Sequence, residues 1–130
     1  MYLLDTNTLI YFFKGQGQVH QRLLAVAPGD ISVPSISVFE IETGIAKSNH
    51  PERLRHDLDD FLAMITVFPF GMPEAQSAAR IRAKLEAAGK PIGPYDILVA
   101  ATARANALTL VTRNVREFSR IEGLQVDNWY

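Results

Sequence analysis

The chain has 130 residues, of which 48% are hydrophobic and 21% charged, with no cysteine and a formal net charge of −1. These values exclude a disordered chain, a disulfide scaffold, a thiolate-ligated zinc site, a thiol nucleophile and a uniformly basic nucleic-acid binder. The length suits one domain over residues 1–130, large enough to bury its own core.

In chain order, Tyr2 to Asp5 reads as a short buried strand that ends in an acid. Thr6 or Asn7 is the expected cap of a helix carrying Leu9, Ile10, Phe12 and Phe13, although Asp5 is itself a preferred capping residue. A second helix is expected around Val19–Val26, ending before the Pro28-Gly29 turn signal, and Ile31 to Val33 is a second strand. Ser35 to Lys47 suits a helix that Gly44 weakens. After Pro51, the residues Leu54, Leu58, Phe61, Leu62 and Ile65 draw one apolar helical face. Thr66 to Phe68 is a third strand, and Pro73 opens an alanine-rich helix that stops near Gly89. Gly93-Pro94 opens a further helix through Ala105, with proline suited to the first helical position. Leu108 to Val111 is a fourth strand and Gln125 to Asp127 a fifth.

Short apolar strands alternating with helices predict an α/β fold: a central, mostly parallel sheet of four or five short strands flanked by helices on both faces. Ligands of such sheets bind at the carboxyl ends of the strands, near a switch in strand order. Asp5 ends the first strand and Thr112 to Asn114 end the fourth, which puts them on one rim. Three acids are candidates for that rim: Asp5, Glu40 and Asp96. Each has a structural alternative. Asp5 suits a helix cap, Glu40 the far half of a capping box with Ser37, and Asp96 the favourable first turn of a helix. As a set they demand more. Two carboxylates about 4 Å apart repel by roughly 4 kcal/mol at an effective dielectric of 20, so such a cluster needs a proton or a cation. Hard divalent ions such as Mg²⁺ take oxygen ligands, whereas His20, His50 and His56 are too scattered for zinc. Glu42 rivals Glu40, since residues two apart on a helix point in roughly opposite directions and cannot serve one ion.

Four blocks of the sequence resemble the PIN-domain ribonucleases, and within them the VapC toxins of bacterial toxin–antitoxin pairs. The blocks are Met1 to Asn7, Ser37 to Ser48, Gly89 to Asp96 and Leu110 to Phe118, in that order, and the ending Gly123 to Trp129 is also similar. The resemblance implies a PIN-like three-layer fold and an endoribonuclease dependent on Mg²⁺ or Mn²⁺. Asp5 and Asp96 match the two metal-binding aspartates, and Glu40 matches the glutamate of the second block, in preference to Glu42. Asn114 matches the fourth site position, where an amide is a weaker ligand than a carboxylate and orients water. By this reading Glu40 positions or deprotonates a water, while the Thr6 and Thr112 hydroxyls hold the carboxylates. The implied partners are a structured RNA such as tRNA, a VapB-type antitoxin and a second copy of the chain.

Residues 80–120 hold eight Lys or Arg against three acids, a local balance of +5 in a chain of net charge −1. That asymmetry suits a phosphate backbone, and Arg113 and Arg116, which flank Asn114, are the expected RNA contacts. Tyr11, Phe12 and Phe13 are expected to pack into a core, with an antitoxin or dimer interface as the alternative, and Trp129 to pack at the chain end. A haloacid-dehalogenase-type phosphatase lacks its second acid here, since Asn7 stands there, and a receiver domain lacks its late lysine, since Arg113 does. A catalytically weak PIN-like binding module is the remaining alternative. The longest apolar stretch, Ile97 to Val111, is short and interrupted by Arg104 and Asn106, so no membrane span is expected. The N-terminus lacks the pattern of a secretory signal, and the expected location is the cytoplasm.

Overall fold

The computed structural model describes residues 1–130. Five strands, β1 (Tyr2–Leu4), β2 (Ile31–Pro34), β3 (Thr66–Phe68), β4 (Thr109–Val111) and β5 (Val126–Asp127), form one sheet. Every pairing is parallel and the order is β3-β2-β1-β4-β5. The chain enters at the central strand, steps outward to β2 and β3, then returns to fill the other side. The order therefore reverses between β1 and β4.

The helices are α1 (Thr6–Lys14), α2 (Val19–Leu24), α3 (Ser35–Lys47), α4 (Glu52–Leu62), α5 (Met72–Ala87), α6 (Pro94–Ala105) and α7 (Val115–Phe118). Strand alternation divides them into two layers. Leu3 and Leu110, paired in register and with no exposed surface, face α5 and α6 through Ile81, Leu85, Val99 and Ala103. Leu4 and Val111, also paired and fully buried, face the other way onto Leu9, Ile41, Leu58 and Phe61. Burying each Leu contributes about 1.5–3 kcal/mol, so β1 is held from both sides.

The helix ends explain the turns. After α5, the Gly89 amide bonds to Glu86 O and the Lys90 amide to Leu85 O, with Gly89 at φ +66. This is a Schellman motif, which satisfies carbonyls that helix termination leaves free. The same bonding closes α6, from Ala107 to Arg104 O and from Leu108 to Ala103 O, but the left-handed position is occupied by Ala107 at φ +53. At the other end of α5, the Gly71 amide donates to Glu74 Oε1 at 2.8 Å, so that helix begins at Met72, one residue before the proline.

Several sequence expectations need correction. Asp5, not Thr6 or Asn7, caps α1: its Oδ1 accepts the Thr8 amide at 2.8 Å, and Thr6 is the first helical residue. No capping box joins Ser37 and Glu40, because α3 starts at Ser35 and Ser37 is buried within its first turn. Helix α3 runs through Gly44 unbroken, because Ile41 and Ile45 anchor it in the core. The expected Pro28-Gly29 turn is a single 3-10 turn over Pro28–Asp30, whereas the four-residue α7 has no counterpart in the sequence reading. Trp129 packs at the chain end as expected, 2% exposed and 5.0 Å from the Tyr2 ring. Phe12 and Phe13 pack against Phe61, at 5.4 and 6.1 Å between ring centres. No helix is long and apolar enough to cross a membrane.

Candidate active site

The reversal between β1 and β4 opens a crevice at the carboxyl ends of the strands, the place where open parallel sheets bind ligands. β1 delivers Asp5 into it. The Asp5 amide donates to Val111 O at 3.1 Å, continuing the strand pairing by one residue and tying the acid to β4. Its side chain is 7% exposed. Burial pushes the Asp5 carboxyl above the usual range, while hydrogen bonds from Thr112 and Thr8 pull partly against that shift.

Asp96 arrives from the first turn of α6, with Oδ2 beside Gly93 at the helix N-terminus. Burial first, and then the charges of Asp5, Glu117 and Glu40, hold its pKa up at about 6. Those charges set the acidic surroundings of Asp96: the carboxylates of Asp5, just after β1, Glu40 on α3 and Glu117 on α7 lie near enough to act on it. Glu40 reaches it from α3. The Thr6 hydroxyl lies 2.6 Å from Glu40 Oε1 and 3.0 Å from Ser37 Oγ. With one proton per hydroxyl, Thr6 donates to the carboxylate and Ser37 to Thr6. Thr6 thus orients Glu40. Thr112, buried at the end of β4, accepts the Asn114 amide at 3.0 Å and bonds Asp5, so one hydroxyl ties two expected site residues together.

Glu42 points elsewhere. It accepts both arms of Arg55 on α4, an ion pair that holds its carboxyl below the usual range. Glu117, by contrast, joins the site, and its Oε2 accepts the Asn114 side-chain amide at 2.6 Å. Sequence reasoning left Glu117 without a role. Its signal is the spacing of three from Asn114, which as the residue capping α7 sets the two side chains within reach of each other across the first turn. Two exposed aromatic side chains also went unremarked, Phe39 and Tyr95, each one residue before a site acid and 5.7 Å apart edge to face. Arg113 and Arg116 are exposed beside Asn114. The Arg113 guanidinium sits 3.6 Å over the Tyr130 ring, so it is aimed by an aromatic shelf rather than free in solvent.

No three acidic or histidine side chains stand close enough together to hold a metal ion as placed. The donors near Asp96 are nonetheless all oxygen, burial pushes the Asp5 and Asp96 carboxyls above their usual range, and the histidines are engaged elsewhere. His20 stacks on Phe12 and His56 pairs with Asp60. This donor set fits a hard divalent cation carried by one or two carboxylates, with water and phosphate completing its shell.

Fold and site together define an α/β protein with an acidic, all-oxygen crevice at its topological switch point. Residues 2–124 match the PIN domain family. The chain is 38% identical to a Ribonuclease VapC2 of Haemophilus influenzae over 128 residues, which is 98% of this chain and 97% of that one. It is 33% identical, with the same coverage, to a tRNA(fMet)-specific endonuclease VapC of Shigella flexneri. Its fold superposes with a TM-score of 0.92 on a chain of the crystal structure of VapBC2 from Rickettsia felis bound to a promoter DNA fragment, at 34% identity and covering 99% and 98% of the two chains. This chain belongs to the PIN-domain family and, within it, to the VapC ribonucleases.

Proposed function

We propose that the protein is the toxin of a VapBC-type pair and cleaves RNA phosphodiester bonds with a divalent ion, Mg²⁺ or Mn²⁺, held by Asp5 and Asp96. The observation that carries this reading is the convergence of Asp5, Glu40, Asp96 and Glu117 on one crevice, with Asp96 held at a pKa of about 6. When bound, the ion would supply positive charge against the charge that develops on phosphate oxygens and would acidify nearby water. The chain's own residues do the rest. Glu40, oriented by Thr6, accepts the proton of the attacking water as its oxygen bonds to phosphorus. The bond to the leaving oxygen then breaks, and that oxygen takes up a proton. Asn114 holds Glu117 against the rim, where the two position water. Thr112 and the Thr8 amide fix Asp5, which leaves one of its oxygens committed to structure. Arg113 and Arg116 meet phosphates flanking the cut.

The substrate proposed is a structured RNA such as tRNA, in keeping with the tRNA(fMet) named for the Shigella relative. A VapB-type antitoxin is the proposed inhibitor, since the similar crystal structures are VapBC complexes. The acidic crevice suits a basic side chain brought by such a partner. The working form is then a homodimer or a toxin–antitoxin hetero-oligomer of single-domain chains, acting in the cytoplasm.

The deciding experiment is cleavage of a bulk tRNA fraction by wild type, Asp5→Asn and Asp96→Asn, each with Mg²⁺ and with EDTA. Wild type with Mg²⁺ is expected to cut, and each variant to lose roughly two orders of magnitude or more, the scale typical of removing one electrostatic element of a site. Undiminished cleavage by both variants would overturn the assignment.

A further inference from the structure

The charge asymmetry of residues 80–120 is not used up by the crevice. Four of the eight cations, Lys84, Lys90, Arg104 and Arg120, line a separate cavity of about 240 Å³ formed by the C-terminal ends of α5 and α6 and the turn after α7. Glu122 is the one acid in its lining, and it is paired with Lys84. Lys90, Arg104 and Arg120 enter none of the chain's ion pairs. Glu122 also feels Arg104, but four cations against one acid leave the concavity a net charge of +3. Its floor is the buried apolar side chains of Ile81, Leu85 and Ile121. Low-dielectric walls strengthen the attraction for an anion and concentrate it locally.

The cavity is also fixed in shape. The Schellman turn closing α5 fixes the backbone at Lys90 through its amide bond to Leu85 O. Arg104 lies along Gly123, which has φ +79, with Nε 3.7 Å from where a β-carbon would stand. Guanidinium groups offer forked donors that match phosphate oxygens. Helix α6 carries Asp96 in its first turn and Arg104 in its last. The eight-residue step from one to the other corresponds to about 12 Å along the axis, so the cavity lies beyond the bond being cut yet within reach of a folded polynucleotide.

We propose that this cavity is a phosphate-binding site that grips the backbone of the RNA substrate at a distance from the scissile bond, and so favours long, folded RNA over short fragments. The proposal rests on the ribonuclease reading above. Its test is the triple variant Lys90→Gln, Arg104→Gln, Arg120→Gln, with Lys90→Glu alone as a milder second variant in an exposed turn. Cleavage is measured on a folded RNA of tRNA size and on a short oligonucleotide spanning the same cut. The triple variant is expected to raise KM for the folded RNA about ten-fold and to reduce the salt slope of its binding by about 2, leaving kcat and both constants for the oligonucleotide unchanged. Lys90→Glu should move KM for the folded RNA in the same direction. An unchanged KM for folded RNA, or an equal rise on both substrates, would overturn the site. Binding of the uncut folded RNA without divalent ions, in the Asp96→Asn background, separates the two readings. Weaker binding on removal of the three charges supports the cavity even if wild type cuts nothing. Unchanged binding alongside active cleavage removes the cavity and leaves the ribonuclease intact. Duplex DNA of equal length competing as well as the RNA would also overturn the proposal.

Discussion

Asp5 accepts the Thr8 amide at the head of α1 while standing buried among the site carboxylates, so its two substitutions separate chemistry from folding. Asp5→Asn keeps a capping oxygen, and Asp5→Ala does not. Both are expected to be inactive, but the alanine variant should be less stable than the asparagine one by about 1 kcal/mol, the usual worth of a cap, in chemical denaturation. Asp96 gives a pH signature. Its pKa of about 6 lies above the ordinary carboxyl value of 3.8. Below pH 4 both folded and unfolded chains hold the proton and stability is complete. Between pH 4 and 6 the unfolded chain releases it first, so stability falls as pH rises and the penalty is full above 6. Asp96→Asn should therefore stabilise the metal-free protein at pH 8 but not at pH 4. Solvent screening at a half-exposed carboxyl limits the gain to on the order of 1 kcal/mol. Melting curves at the two pH values check this.

At the scale of the element, α6 ends in a turn that asks for glycine and has Ala107, at φ +53. Left-handed backbone costs a residue with a β-carbon about 1 kcal/mol relative to glycine. Ala107→Gly is expected to raise the midpoint of thermal unfolding by several degrees without altering cleavage. An unchanged or lower midpoint would mean that the lost rigidity of the unfolded chain offsets the relief. Helix α7 is the converse case, an element too short for periodicity to reveal. Four residues make one turn, and no apolar repeat develops within them. That is why Glu117 had no place in the reading of the sequence, although Asn114 did. Longer elements were legible because proline and glycine punctuate them: α6 begins at Pro94 as expected, and Gly89 stops α5. The sequence leaves the cap of α1 open among three residues for a physical reason. Asp, Thr and Asn stand in a row, all three are competent caps, and only the pairing of the Asp5 amide with Val111 decides where the strand ends and the helix begins.

For the whole molecule, alternation of short apolar strands with helices was enough to predict a parallel sheet covered on both faces. It did not give the strand order, which depends on which faces of α3, α5 and α6 bury against which strands. The order matters because it brings Asp5 and Thr112 together. With acids crowded into that crevice, a divalent ion that binds only the folded state should stabilise the entire protein, by about 2.7 kcal/mol at a hundred-fold excess over its Kd. Mg²⁺ or Mn²⁺ is expected to raise the melting temperature more at pH 8 than at pH 5, where protons compete for Asp96, and EDTA should abolish the gain. Thermal shift assays across both pH values test it.

β1 is the first strand made and the middle one of the sheet, flanked by β2 on one side and by β4, a hundred residues further along, on the other. During synthesis its second neighbour therefore emerges long after it, and so do Asp96 and Glu117. The carboxylates drawn from β1, α6 and α7 can therefore come together only after β4 has been made and has paired with β1, so assembly of this rim waits on the sheet's long-range contact rather than on any local one.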